Sequence, residues 1–197
     1  MNRRLVILDR DGVINVDSDA FIKSPEEWVA IPGSLEAIAR LNQSGYRVAI
    51  ASNQSGIGRG LFDMAALNAM HAKLNQQLAK HGGRVDAVFF CPHTAADNCD
   101  CRKPKSGLYE QIGERFGIEL RNVPTVGDSL RDLEAGVAVG CVPHLVRTGK
   151  GLRTLEKGGL PAGTRVHDDL AAFARWLIAE GTHKTPAPSA HAAQLAP

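Results

Sequence analysis

A chain of 197 residues is long enough for one domain with a sizeable core and short for two. Its 44% hydrophobic and 22% charged residues give the composition of a globular protein and exclude a largely disordered one. The 23 Lys and Arg nearly cancel the 21 Asp and Glu, so the formal charge of +2 supplies no pull towards nucleic acid or a membrane surface.

The chain begins Met1-Asn2-Arg3-Arg4 and enters the apolar run Leu5-Val6-Ile7-Leu8, which is too short for a signal-peptide core. No later apolar run approaches the roughly 20 residues that span a bilayer. A cytoplasmic protein without a membrane partner is expected. The first run reads as a strand, followed by a helix over 35–42 behind a candidate N-cap at Ser34 and a strand over 48–51. A helix over 64–80 follows, with Asp63 as its N-cap and Gly82 as its stop, and then a strand over 85–90. Beyond it come a helix over 108–116 stopped by Gly117, a strand over 123–126, a helix over 130–139 and a strand over 142–146. Near-continuous apolar strands suit burial on both faces. Their alternation with helices predicts an α/β, Rossmann-like three-layer sandwich around a central parallel sheet, with ligands at the C-terminal strand ends. Residues 182–197 hold three prolines and no apolar period, and read as a disordered tail behind a domain of residues 1–181.

Those strand ends carry chemistry. The first runs into Asp9-Arg10-Asp11-Gly12-Val13, two carboxylates that repel unless a cation or a proton lies between them. The pair suits Mg²⁺, a hard ion that prefers oxygen, or a carboxylate nucleophile beside an acid/base. The second ends in Ser52-Asn53-Gln54-Ser55-Gly56, whose hydroxyls and N–H groups can cradle a phosphate. Lys103 precedes the third helix, and the fourth strand ends in Gly127-Asp128-Ser129 with Asp132 beyond.

Asp9-x-Asp11-Gly12-Val13, Ser52, Lys103 and Gly127-Asp128-x-x-x-Asp132 resemble the four motifs of the haloacid dehalogenase-like superfamily of phosphohydrolases, over about residues 4 to 150. The resemblance implies that Asp9 attacks phosphorus to give an aspartyl-phosphate, while Asp11 protonates the leaving oxygen and then acts as base for water. It implies Mg²⁺ on Asp9, the backbone carbonyl of Asp11 and Asp128, with Ser52 and Lys103 stabilising the transferring phosphoryl group. Asp132 is expected to brace Lys103 or metal-bound water.

Three of four cysteines fall within eleven residues. Cys91, His93, Cys99 and Cys101 form C-x-H-x5-C-x-C, a ligand set and spacing that fit a closed, structural zinc site ordering a loop with few apolar residues. Cys141, beside an apolar strand, is expected to be a buried thiol. No long insertion supplies a cap domain. The capless core, the zinc loop and Cys101-Arg102-Lys103-Pro104 resemble the superfamily branch that holds the heptose-bisphosphate and histidinol-phosphate phosphatases, as do the runs from Asp9 to Asn15, Ser52 to Gly60 and Val146 to Lys150. From it come implied substrate contacts at Arg10, at Asp17, Ser18, Asp19 and Ala20, at Asn53, Gln54 and Ser55, and at Arg102. The implied activity is removal of the C7 phosphate from a heptose 1,7-bisphosphate, for heptose precursors of lipopolysaccharide or surface glycans. Such relatives suggest a monomer.

Two positions depart from that branch: Ala20-Phe21 replaces a usual Gly-Tyr, and Ser129 replaces a frequent Lys, removing a cation that could face a phosphate. A sugar bisphosphate carries close to four negative charges, so its second phosphate needs its own cation, for which Arg102 offers a bidentate fork. Arg59 and Lys105 are further candidates. Histidinol phosphate is the alternative substrate, since Asp17 and Asp19 could meet its amine. With aromatics at 5% and no basic excess, nucleic acid is not an expected partner.

Overall fold

The computed structural model describes residues 4–183 of the chain. Six strands form one sheet: β1 (Leu5–Leu8), β2 (Arg47–Asn53), β3 (Ala87–Cys91), β4 (Pro124–Gly127), β5 (Val142–Val146) and β6 (Arg165–His167). Every neighbouring pair is parallel, in the order β3-β2-β1-β4-β5-β6. Parallel neighbours require crossovers, supplied chiefly by helices α1 (Ser34–Gln43), α3 (Met64–Lys80), α4 (Gly107–Phe116), α5 (Leu130–Val137) and α6 (Gly151–Lys157), while α7 (Leu170–His183) closes the described chain.

The period-two alternation of β1 divides the core. Val6 and Leu8 join Val48 and Ile50 beneath α1, α3 and α7, where Ile38, Leu74 and Phe173 are buried. Leu5 and Ile7 face the opposite way with Ala49 and Ala51, beneath Leu108 and Ile112 of α4 and Ala135 of α5. Helices thus cover both faces, as the apolar strands predict. Between β1 and β4 the strand order reverses direction, opening the crevice in which such sheets bind ligands.

Several boundaries shift. Ser34 is the first residue of α1 rather than its cap: Gly33 holds the cap position at φ 82, and the Ser34 hydroxyl donates to the Ile14 carbonyl at 2.7 Å. Asp63 caps α3 as expected, accepting from the Ala66 N–H at 2.8 Å. The cap at the far end of α3 is His81, with Gly82 following it in the left-handed region, while Gly117 does cap α4. The short helix α2 (Ser55–Gly58), the 3-10 turn Ala95–Asp97, α6, β6 and α7 add to the expected elements. β6 is three residues long and α2 four, too short for a periodic signal. Helix α7 continues through Thr182 and His183, which the expected tail included; its remaining residues, 184–197, lie outside the described ones. Among the described residues no helix is long and apolar enough to cross a membrane.

Candidate active site

The C-terminal ends of β1, β2 and β4 bring the expected acids, hydroxyl and ammonium together. Lys103 lies at the centre, 2% exposed, its Nζ 3.0 Å from Asp9 Oδ1 and 2.7 Å from Asp132 Oδ1 and donating to the Ala51 carbonyl at 2.7 Å. Burial works against its charge, but the two carboxylates outweigh it and raise the ammonium's pKa above its ordinary value. Asp132 therefore braces Lys103, as expected. Its second oxygen, Oδ2, accepts from the Ser129 N–H at 3.0 Å and the Ser129 hydroxyl at 2.5 Å, closing a capping box on α5. Burial pushes Asp132 up, and Lys103 with Arg131 more than reverse this.

Asp9 Oδ1 also accepts from the Arg10 backbone N–H at 2.8 Å. Burial raises the Asp9 carboxyl to about 6, with Lys103 opposing and Asp132 and Asp11 adding to the rise. Asp128 is pushed further, to about 8, by burial and then by Asp132 and Asp9. Its Oδ2 accepts from the Lys150 N–H at 2.8 Å. Gly12, at φ 83, and Gly149, at φ 57, pack against Asp128; a Cβ on either would collide with its carboxylate. The Thr148 hydroxyl bonds the Gly12 carbonyl at 2.6 Å.

Asp11 borders the same cavity but is held by other partners. Its carboxylate takes the Arg10 guanidinium at 3.0 and 3.1 Å, Asn15 Nδ2 at 2.9 Å and Gln54 Nε2 at 2.8 Å. Burial would raise Asp11, but Arg10 and the two amides hold it below the usual carboxylate range. Gln54 also donates to Ser52 Oγ at 2.8 Å and accepts from Arg10 at 3.1 Å. Asn53 clamps the backbone of Lys103, accepting from its N–H and donating to its carbonyl, both at 3.0 Å. Three residues expected to touch substrate, Arg10, Asn53 and Gln54, thus spend side-chain bonds on Asp11, Ser52 and Lys103. Asn53 and Gln54 still border the cavity, whereas the Arg10 guanidinium is buried beneath Asp11 and Ala20 lies off the wall.

The cavity above these residues holds about 210 Å³ and is bordered by the expected Asp17, Ser18, Asp19, Ser55 and Arg102. Asp17 pairs with Lys150 Nζ at 2.6 Å, and Asp19 with Arg153 at 3.3 Å. Arg102 donates to the His93 carbonyl at 3.1 Å. Arg59 reaches the wall; Lys105 does not, being held by Asn98 and Asp100. Lys150 and Arg131 border the cavity without having been expected there. A larger hollow of about 1010 Å³ lies at the opposite sheet edge, by Leu5, Pro124 and Val142, away from all of these groups.

Ligand atoms of Asp9, Asp128 and Asp132 lie within 4.8 Å of one another. Octahedral Mg²⁺ sets its oxygens about 2.9 Å (cis) and about 4.2 Å (trans) apart, so the acids fit the ion; Asp132, committed to Lys103 and Ser129, serves as brace. In the loop after β3, Cys91 Sγ lies 3.6 Å from both His93 Nδ1 and Cys99 Sγ. Cys101 Sγ lies 3.3 Å from His93 Nδ1 and 3.5 Å from Cys99 Sγ. A tetrahedral zinc site has edges of about 3.8 Å between sulfurs and about 3.5 Å from sulfur to nitrogen, so the four residues fit zinc. Cys141 is buried against α5, its thiol pushed up to about 12 by burial.

A family model described as polynucleotide kinase 3 phosphatase matches residues 5–131, and one described as HAD-hydrolase-like matches residues 100–173. The D-glycero-beta-D-manno-heptose-1,7-bisphosphate 7-phosphatase of Bordetella bronchiseptica is 59% identical over 177 residues, covering 90% of this chain and 99% of that protein. The chain belongs to the heptose-bisphosphate phosphatase family of haloacid dehalogenase-like hydrolases. A family member from Pseudomonas aeruginosa, also named for the beta form, is 58% identical over 178 residues, 90% of this chain and 99% of that one. A crystal structure of the B. bronchiseptica enzyme, described as complexed with magnesium and phosphate, superposes with a TM-score of 0.89 at 59% identity, covering 90% of this chain and 99% of that one.

Proposed function

We propose that the protein is a Mg²⁺-dependent phosphatase that removes the C7 phosphate of D-glycero-β-D-manno-heptose 1,7-bisphosphate, supplying the 1-phosphate for heptose precursors of lipopolysaccharide or surface glycans. The observation that carries it is Asp9 and Asp128 converging with the Lys103–Asp132 pair at the switch point, in a chain 59% identical to a relative with that name. Asp9, Asp128 and the Asp11 carbonyl would hold Mg²⁺, which neutralises the buried acids and draws charge from a phosphoryl oxygen. Cys91, His93, Cys99 and Cys101 would hold zinc, tying down the segment that ends in Arg102 and Lys103.

Asp9 attacks phosphorus and the ester oxygen leaves with a proton from Asp11. Lys103 Nζ and the Ser52 hydroxyl stabilise the equatorial oxygens. Held as a carboxylate by Arg10, Asn15 and Gln54, Asp11 is already in the form that deprotonates water in the second step. The substrate's own negative charge raises the affinity of Asp11 for the proton that the first step needs. Asp17 and Asp19, which would meet the amine of histidinol phosphate, are already paired with Lys150 and Arg153. That pairing favours a polyanion over a cationic substrate. Reduced thiols and a phosphorylated sugar substrate suit a cytoplasmic enzyme, working as a monomer.

Phosphate release from both anomers of the heptose bisphosphate, histidinol phosphate and fructose 1,6-bisphosphate tests this assignment. The β-anomer is expected to give the highest kcat/KM; equal or faster turnover of histidinol phosphate overturns the choice of substrate. Asp9→Asn, which keeps the shape and removes the nucleophile, is expected to lower kcat by more than about 100-fold with folding intact. Retention of a tenth of the wild-type rate, about 10%, contradicts the aspartyl-phosphate route.

A further inference from the structure

Arg131 is the second residue of α5 after its cap at Ser129. A cation in the first turn of a helix opposes the helix dipole, so this position costs stability. The side chain borders the catalytic cavity. Its Nε is enclosed and has no hydrogen-bond partner, and among the described residues its guanidinium makes no ion pair. The acids near enough to favour its charge are Asp132, Asp9, Asp128 and Asp17. Asp132 is committed to Lys103 and Ser129, and Asp17 to Lys150. Asp9 and Asp128 are the acids that suit a metal ion, and a bound cation cancels their pull on Arg131.

The other cations of the cavity are engaged. Lys103 sits between two carboxylates, Lys150 on Asp17, and Arg102 on the His93 carbonyl. Arg59 lies over the Phe21 ring, at 5.8 Å, and is exposed. Arg131 alone among them combines an enclosed, unbonded nitrogen with a place on the wall. A guanidinium fork without a partner matches a phosphate, which offers several acceptor oxygens on one face. We propose that Arg131 is a phosphate-binding residue of this site, donating from its guanidinium to one of the two phosphates of the substrate. It supplies a cation two residues beyond Ser129, where the sequence had pointed to the loss of one. The proposal rests on the phosphatase reading, but its first test needs no heptose.

Inorganic phosphate is titrated calorimetrically into the Mg²⁺-loaded wild type, Arg131→Gln and Arg131→Lys, and its Ki is measured against p-nitrophenyl phosphate. If Arg131 meets the transferring phosphoryl group, Arg131→Gln weakens phosphate binding by about 10- to 100-fold, and Arg131→Lys recovers part of it. If it meets the second phosphate, orthophosphate affinity holds while KM for the heptose bisphosphate rises by a similar factor and KM for a sugar monophosphate does not. Either result supports the proposal. A purely structural Arg131 would change the melting temperature or kcat and leave phosphate affinity and both KM values within about twofold, which overturns it. Failure of the wild type to hydrolyse heptose bisphosphate would count against the substrate assignment and leave the orthophosphate comparison intact.

Discussion

Replacing Asp132 with Ala removes one partner from the most deeply buried ion pair of the site. Lys103 and Asp132 lie 2.7 Å apart with side chains 1% exposed, so water cannot take over when the carboxylate is lost. Breaking such a pair by deleting one member costs about 3–5 kcal/mol, because the remaining charge stays buried. Asp9, 3.0 Å from the same ammonium, keeps a partner for Lys103 and sets the lower end of that range. Loss of the bonds to Ser129 adds the cost of a weakened helix cap, about 1 kcal/mol. At about 2–4 °C per kcal/mol for a chain of this size, the melting temperature is expected to fall by at least about 6 °C.

The pH dependence of the loss has a definite sign. Asp132 has a lowered folded pKa, so its contribution is present above the unfolded value near 3.9 and is lost as pH falls through the folded value. Lys103 has a raised folded pKa, so its contribution is complete below the unfolded value near 10.4 and is lost as pH rises through the folded value. Asp132 also raises Asp9, to about 6, and Asp128, to about 8, so its removal relieves the variant as those two ionise. The gap between wild type and Asp132→Ala is therefore expected to be widest near about pH 5, to narrow part-way through about pH 6 to 8, and to narrow further below about pH 4 and above about pH 10. Urea unfolding across that range measures it. A gap below about 1 kcal/mol at neutral pH would mean that the pair is no better than an exposed one, and would refute the reasoning.

Gly12→Ala places a methyl against the Asp128 carboxylate at a φ of 83, so magnesium affinity and kcat are both expected to fall by more than about tenfold, measured by metal titration of activity; an unchanged titration curve contradicts the close packing. Purified protein is expected to carry about one zinc ion per chain, and chelation is expected to lower kcat/KM as Arg102 and Lys103 lose their anchor; a zinc-free protein of full activity contradicts the assignment of the cysteine loop.

The groups that the structure brings together at the candidate site were legible because they follow directly on apolar strands. Asp9 follows β1, Asp128 follows β4, and Ser52 sits near the end of β2, so the parallel sheet alone carries them to one edge. Side-chain direction was not legible. Arg10 sits between two site acids, yet its guanidinium turns into the protein and holds Asp11, because a turn leaves χ angles to be fixed by tertiary partners such as Gln54. Asn53 likewise looks like a polar lining residue and instead holds the backbone of Lys103. Arg131 and Lys150 escaped notice for a different reason: a cation on a helix or after a glycine is ordinary in sequence, and only the cavity wall distinguishes it. The last strand and helix were missed in the same way. β6 has three residues and one aliphatic side chain, and its place is set by pairing with β5.

The bond from Thr148 to Gly12 joins residues 136 apart, and the loop that makes it also sends the Lys150 N–H to Asp128. During synthesis, every acid of the site emerges before that loop does. A growing chain that has reached only α5 already carries Asp9, Asp11, Asp128 and Asp132 but lacks the segment that closes around them. A fragment that ends after α5 is therefore expected to carry the full set of acids without the two bonds, from Thr148 and from the Lys150 N–H, that close the site, which can form only once β5 has docked.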